Sequence, residues 1–183
     1  MVAKFWAGPI WNTWNEVAEN AALAHQTNLE STARLFAVLN LSFADNTIAF
    51  YDAKYHYQLW RPITAIREAN TVGNPLTIGD PTWTPLAITA PDPSYPGAHS
   101  TISAAAATVL SDFFGNQDHV RVTSDALPGT VRTFASYTDV ATEAGLSRIF
   151  AGQHTRLDHD SGIELGHNIA QFVLSHFSVS APK

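Results

Sequence analysis

From Leu29 to Tyr57 the chain contains neither proline nor glycine. Ala33, Leu35, Phe36, Leu39, Leu41, Phe43, Ile48 and Phe50 recur densely enough in that stretch to bury more than one face of a helix. This predicts a long central helix, with Lys54 in its last turn, around which the rest of the chain must pack. A helix that apolar on several faces also needs much surface to cover it. Leu35, Phe36, Leu39 and Phe43 are therefore candidates for a homodimer contact as well as for the chain's own core.

The remaining elements fall on either side of it. Trp14, Val17, Ala18, Ala21 and Ala22 recur at helical spacing between Asn12 and His25, just after Pro9. Pro62 suits the first turn of a short helix to about Ala69, which sets Arg61 at a helix junction. Residues Asn70 to Ala98 hold Gly73, Pro75, Gly79, Pro81, Pro85, Pro91, Pro93 and Pro96, so no helix is expected there. A loop of that length inside a compact domain is usually functional. His99 to Phe114 is alanine-rich and closes on Gly115. After an irregular stretch to about Tyr137, with Val120 to Thr123 as a short extended piece, two more helices are predicted, over Asp139 to Gly152 and Asp158 to Phe177. The expected fold class is an all-α helical bundle with long irregular loops, one domain over residues 1–183.

Composition narrows the function. With 45% hydrophobic and 14% charged residues among 183, the chain can bury a real core. A net charge of −6 argues against a nucleic-acid surface, which needs a broad basic face. The absence of cysteine removes thiolate metal sites and thiol nucleophiles. MVAKFWAGP lacks an apolar core of signal-peptide length, and no segment approaches the roughly 18 apolar residues of a membrane span. A soluble chain is expected, its compartment open and an exported precursor compatible with it.

The chemistry is concentrated in three segments: Lys54 to Pro62 (KYHYQLWRP), Pro93 to Ser100 (PSYPGAHS) and Ser147 to Asp158 (SRIFAGQHTRLD). Together they offer Lys54, Arg61 and Arg148 as fixed cations, His99 and His154 as imidazoles, and Asp158 four residues after His154. Arginines grip a tetrahedral oxyanion bidentately and a lysine adds a point charge. One imidazole can attack or coordinate the central atom while the other moves a proton. Asp158 can accept from the second ring nitrogen of His154, fixing its tautomer. The three cations have no other obvious partners in the sequence. His159 with Asp158 and Asp160, and His167 further along, could suggest a cationic metal site, but consecutive helical residues diverge, so Asp158, His159 and Asp160 cannot all face one ion. His25, His119 and His176 read as surface positions. His56, Tyr57 and Trp60 either pack beneath the site or form an aromatic wall that excludes water.

Lys54 with Arg61–Pro62, the proline turn ending at His99, and Ser147–Arg148 followed by His154 and Asp158 resemble the signature of the vanadium-dependent haloperoxidase and type 2 phosphatidic acid phosphatase superfamily. The aromatic KYHYQLWRP stretch is more similar to the haloperoxidase branch. The resemblance implies vanadate as cofactor, its vanadium bonded to His154, with phosphate able to occupy the same site. It also implies that Lys54, Arg61, Arg148 and the Gly97–Ala98 backbone hold the oxygens. His99 would be the acid–base catalyst and Lys54 would polarise peroxide, with halide and peroxide as small-molecule substrates. The alternative it implies is an acid phosphatase in which His154 attacks a phosphate ester, Asp158 orients it and His99 protonates the leaving alcohol. A non-catalytic oxyanion-binding domain is a third reading.

Two departures stand out. The superfamily usually has Ser-Gly before the middle histidine, where this chain has Gly97 and Ala98. A weakened cradle is therefore expected, held by backbone N–H groups at the start of the next helix unless Ser94 or Ser100 reaches the pocket. The chain is also similar only to the C-terminal, motif-bearing half of the longer haloperoxidase architecture.

Overall fold

The computed structural model describes residues 1–177. Seven α-helices run in the order α1 (Val2–Phe5), α2 (Ile10–Ala24), α3 (Leu29–Tyr57), α4 (Pro62–Arg67), α5 (Ala98–Phe114), α6 (Tyr137–Phe150) and α7 (Arg156–His176), with a single 3-10 turn at Ala69–Thr71. The helical bundle expected from periodicity is present. It also carries one small antiparallel hairpin that an all-α reading omits, β1 (Gln117–Val122) paired with β2 (Arg132–Ser136). The extended signal at Val120 to Thr123 marks the first of these strands.

Helix α3 keeps the predicted bounds because Asn28 caps its start, accepting from the Ser31 amide at 2.8 Å, and Gln58 ends it in the left-handed conformation at φ 49°. Its buried residues are Leu35, Val38, Leu39, Ser42, Phe43, Asn46, Phe50 and Lys54, a single stripe at helical spacing. Leu41 and Ile48 face outward. Leu35, Leu39 and Phe43 lie in the chain's own core and so do not form the face expected to meet a second copy, while Phe36 is half-buried against that core.

The centre of the bundle is α5 rather than α3. Helix α5 meets α7, α6, α3 and α2, and its residues from Ser100 to Ala107 are all buried. Small side chains make this possible, because helices can approach an alanine and serine surface on several sides. The closest approach is to α7, where Gly162 and Gly166 sit one turn apart. A Cβ on Gly166 would fall 2.1 Å from the Thr101 carbonyl oxygen, and one on Gly162 would fall 2.8 Å from the Gly97 carbonyl oxygen. Glycine at these positions lets the start of α5 lie against the start of α7, which brings His99 and His154 to one end of the bundle.

Candidate oxyanion site

A cavity of about 300 Å³ opens at that end. Its floor is made by Arg61, Asp92, Ala98, His99, Arg148, Gln153 and His154, and its walls by Gly8 to Trp11, Phe50, Tyr51, Ile88 and Ala90. Three charged groups are delivered by element boundaries: Arg61 is the N-cap residue of α4, Arg148 lies in the last turn of α6, and Asp158 in the first turn of α7. Helix α5 opens here on Gly97 with no side-chain cap, so the amide groups of its first turn and the positive end of its dipole face this end of the bundle.

His154 is oriented from both sides. Arg61 Nη1 lies 2.9 Å from its Nε2, and since a guanidinium only donates, Nε2 must carry the lone pair. The proton therefore sits on Nδ1, 3.3 Å from Asp158 Oδ2. Asp158 Oδ2 also accepts from Ser94 Oγ and from the Thr155 amide, both at 2.7 Å. The second of these bonds closes a capping box with Thr155, so one carboxylate both starts α7 and fixes an imidazole. Burial alone would raise the Asp158 pKa, but the hydrogen bonds from His154, Thr155 and Ser94 outweigh it and hold the group at about 2. Burial pushes the His154 pKa down, against the pull of Asp158.

His99 is held differently. Its Nε2 donates to the Trp6 carbonyl at 3.1 Å, leaving Nδ1 as the acceptor. Burial, then the neighbouring Arg148 guanidinium, pushes its pKa down to about 3, so the ring is neutral near pH 7. Arg148 donates to the same Trp6 carbonyl at 3.2 Å and to Gln153 Oε1. Burial, then Arg61, lowers its own pKa to about 10.

Lys54 and Arg61 do have an acidic partner, which corrects the expectation that the cations stand unpaired. Asp92 reaches Lys54 Nζ at 3.0 Å and Arg61 Nη2 at 3.2 Å. Lys54, fully buried, also donates to the carbonyls of Pro93 and Ser94. Its ammonium thus stands behind the cavity wall.

A family model described as the VCPO second helical-bundle domain matches residues 34–181. The chain belongs to this vanadium haloperoxidase family. It is 26% identical over 180 residues to the vanadium chloroperoxidase of Curvularia inaequalis, covering 73% of this chain and 29% of that protein. A bacterial vanadium-dependent iodoperoxidase superposes with a TM-score of 0.85 at 28% identity, over 95% of this chain and 42% of that one. The holo form of a bacterial vanadium-dependent chloroperoxidase shares the fold, with a TM-score of 0.75 at 17% identity over 97% of this chain and 44% of that one. The chain thus spans less than half the length of each of these haloperoxidases.

Within this haloperoxidase fold, Arg61, Ala98, His99, Arg148 and His154 converge on the cavity, with Lys54 and Asp158 directly behind them. Gly97 does not offer its amide, which donates to the Asp158 carbonyl at 2.9 Å. Neither candidate serine replaces the missing hydroxyl: Ser94 serves Asp158, and Ser100 Oγ lies 2.9 Å from His159 Nδ1. His56, Tyr57 and Trp60 are exposed and line no part of the cavity, so the aromatic wall comes from Trp11, Phe50 and Tyr51 instead. No group of His and acidic residues suited to a cationic metal occurs among the described residues. No helix among them is long and apolar enough to cross a membrane.

Asp92, Gln153 and the Trp6 carbonyl went unread in the sequence. Thr155 followed by Asp158 was a legible capping signal. The Trp6 carbonyl had none, being backbone.

Proposed function

We infer that this domain carries a vanadate-dependent haloperoxidase site that oxidises halide with hydrogen peroxide. The observation that supports it most is the His154 Nε2 lone pair, aimed into a cavity lined by two arginines and headed by an uncapped helix. That donor set fits a tetrahedral oxyanion bonded through its central atom. Bound vanadate would supply a Lewis acid that activates peroxide.

Arg61 donates to the Nε2 lone pair, so for His154 to hold vanadate Arg61 would have to turn that N–H toward an anion oxygen. Arg148 and the first amides of α5 would hold further oxygens. Asp158 keeps the proton of His154 on Nδ1 throughout. Neutral His99 can take a proton from hydrogen peroxide at Nδ1, because Trp6 holds the other nitrogen protonated. Lys54 adds positive charge from behind, and the Trp11, Phe50 and Tyr51 walls limit water.

The test is a parallel assay of one metal-free preparation, with and without orthovanadate. Bromination that requires both vanadate and peroxide is the expected result. Phosphate-ester hydrolysis without bromination would replace this reading with the phosphatase one, and binding without either would leave an oxyanion-binding domain.

A further inference from the structure

The cavity floor carries its own anion. Asp92 spans the two cations on one side of the site, one carboxylate oxygen on Lys54 Nζ and the other on Arg61 Nη2, while its backbone carbonyl accepts from Arg61 Nε at 3.0 Å. Lys54 and Arg61 are thereby neutralised in part before any ligand arrives. Arg148, by contrast, has only a carbonyl and an amide oxygen as acceptors. Three fixed cations stand against the Asp92 and Asp158 carboxylates, and both imidazoles are neutral, which leaves one net positive charge.

We propose that Asp92 is a specificity residue that sets the charge of the oxyanion this site accepts, favouring a singly over a doubly charged tetrahedral anion. The proposal rests on the oxyanion reading of the cavity. The physical step is Coulombic: the repulsion between Asp92 and a bound anion scales with the anion's charge, and in a partly desolvated cavity it is not screened away. Such a device would admit orthovanadate, a monoanion near neutral pH, more readily than dianionic phosphate, although both have the same shape. The rival role for Asp92 is a structural clip that ties the 92–94 segment to Lys54 and Arg61.

Perrhenate and sulfate separate the two roles, being tetrahedral anions fixed at one and two negative charges. Affinities of each would be measured by calorimetry at constant ionic strength for the wild type and for Asp92→Asn, which keeps the shape and loses the charge. The expected result is tighter binding of both anions, by roughly tenfold for each unit of anion charge, so that the sulfate-to-perrhenate preference shifts by about tenfold. Asp92→Ser, should the amide variant fail to fold, must shift the ratio in the same direction. An unchanged ratio, or weaker binding of both anions, would make Asp92 a clip and overturn the proposal while leaving the oxyanion reading intact. Failure of perrhenate, sulfate and orthovanadate all to bind the wild type would overturn that reading and the proposal with it.

Discussion

The two sides of the cavity are built on opposite electrostatic plans. On one side Lys54 and Arg61 share the Asp92 carboxylate, and the three groups are knitted to the backbone of residues 92–94. On the other, Arg148 and His99 share only the carbonyl oxygen of Trp6, and no acidic side chain pairs with Arg148 among the described residues. The first side is stable without a ligand. The second carries the uncompensated charge, so the free energy of anion binding should come mainly from there.

Substitution of the two cations tests this contrast first. Arg148→Met should lower orthovanadate or phosphate affinity on the order of a hundredfold, since each charge-assisted hydrogen bond is worth about 1.5 to 3 kcal/mol. Lys54→Met should lower it only about tenfold, because Asp92 already claims much of that charge. Calorimetric titration of both variants decides it. Equal losses would mean that the two sides contribute alike.

The pH dependence of stability should show the same asymmetry. His99 is held near 3 against an unfolded value of 6.5, so its contribution is present above about pH 6.5 and fades as pH falls toward 3. By about pH 5 the loss should be about 2 kcal/mol. Asp158 is depressed to about 2, so its contribution is lost only at lower pH, between about pH 4 and 2. Chemical denaturation of wild type and His99→Gln across this range should show a larger early loss in the wild type, with a remainder in the variant from His154 and His159, which burial also holds below the ordinary imidazole value.

A bound anion should reverse the position of His99. Negative charge beside the ring favours its protonated form, so binding near pH 6 should take up a fraction of a proton. Calorimetry in buffers of different ionisation enthalpy measures that uptake, and His99→Gln should abolish it. The smallest effect is expected from Gly97→Ser. The added Cβ would sit 3.2 Å from the Asp158 carbonyl oxygen and 3.4 Å from Ser100 Oγ. Strain at this tight contact should offset much of the new hydroxyl's hydrogen bond, leaving a gain below about tenfold.

What was legible in the sequence follows the same division. Lys54, Arg61, His99, Arg148, His154 and Asp158 are marked by side-chain type and by spacing within three short segments, and the fold brings them together. Helix α3 was readable from its uninterrupted periodicity, and α5 from its alanines and closing glycine. Asp92 was not, because nothing local tells which of sixteen acidic residues two distant cations will choose. The Trp6 carbonyl was beyond reach for a different reason, since any residue could supply it. The place of α5 at the centre depends on Gly162 and Gly166 facing Thr101 and Gly97, a fit between helices that no single-helix pattern contains. β2 was missed because five residues, exposed or half-buried except at Ser136, carry little apolar alternation.

The proposed function requires one pocket that binds a tetrahedral anion through His154 and Arg148. Orthovanadate titration of the wild type and of the folded His154→Ala/Arg148→Ala double variant tests this directly. Saturable binding at one site per chain, lost in the double variant, is the predicted result. The same vanadate affinity in both proteins would contradict it.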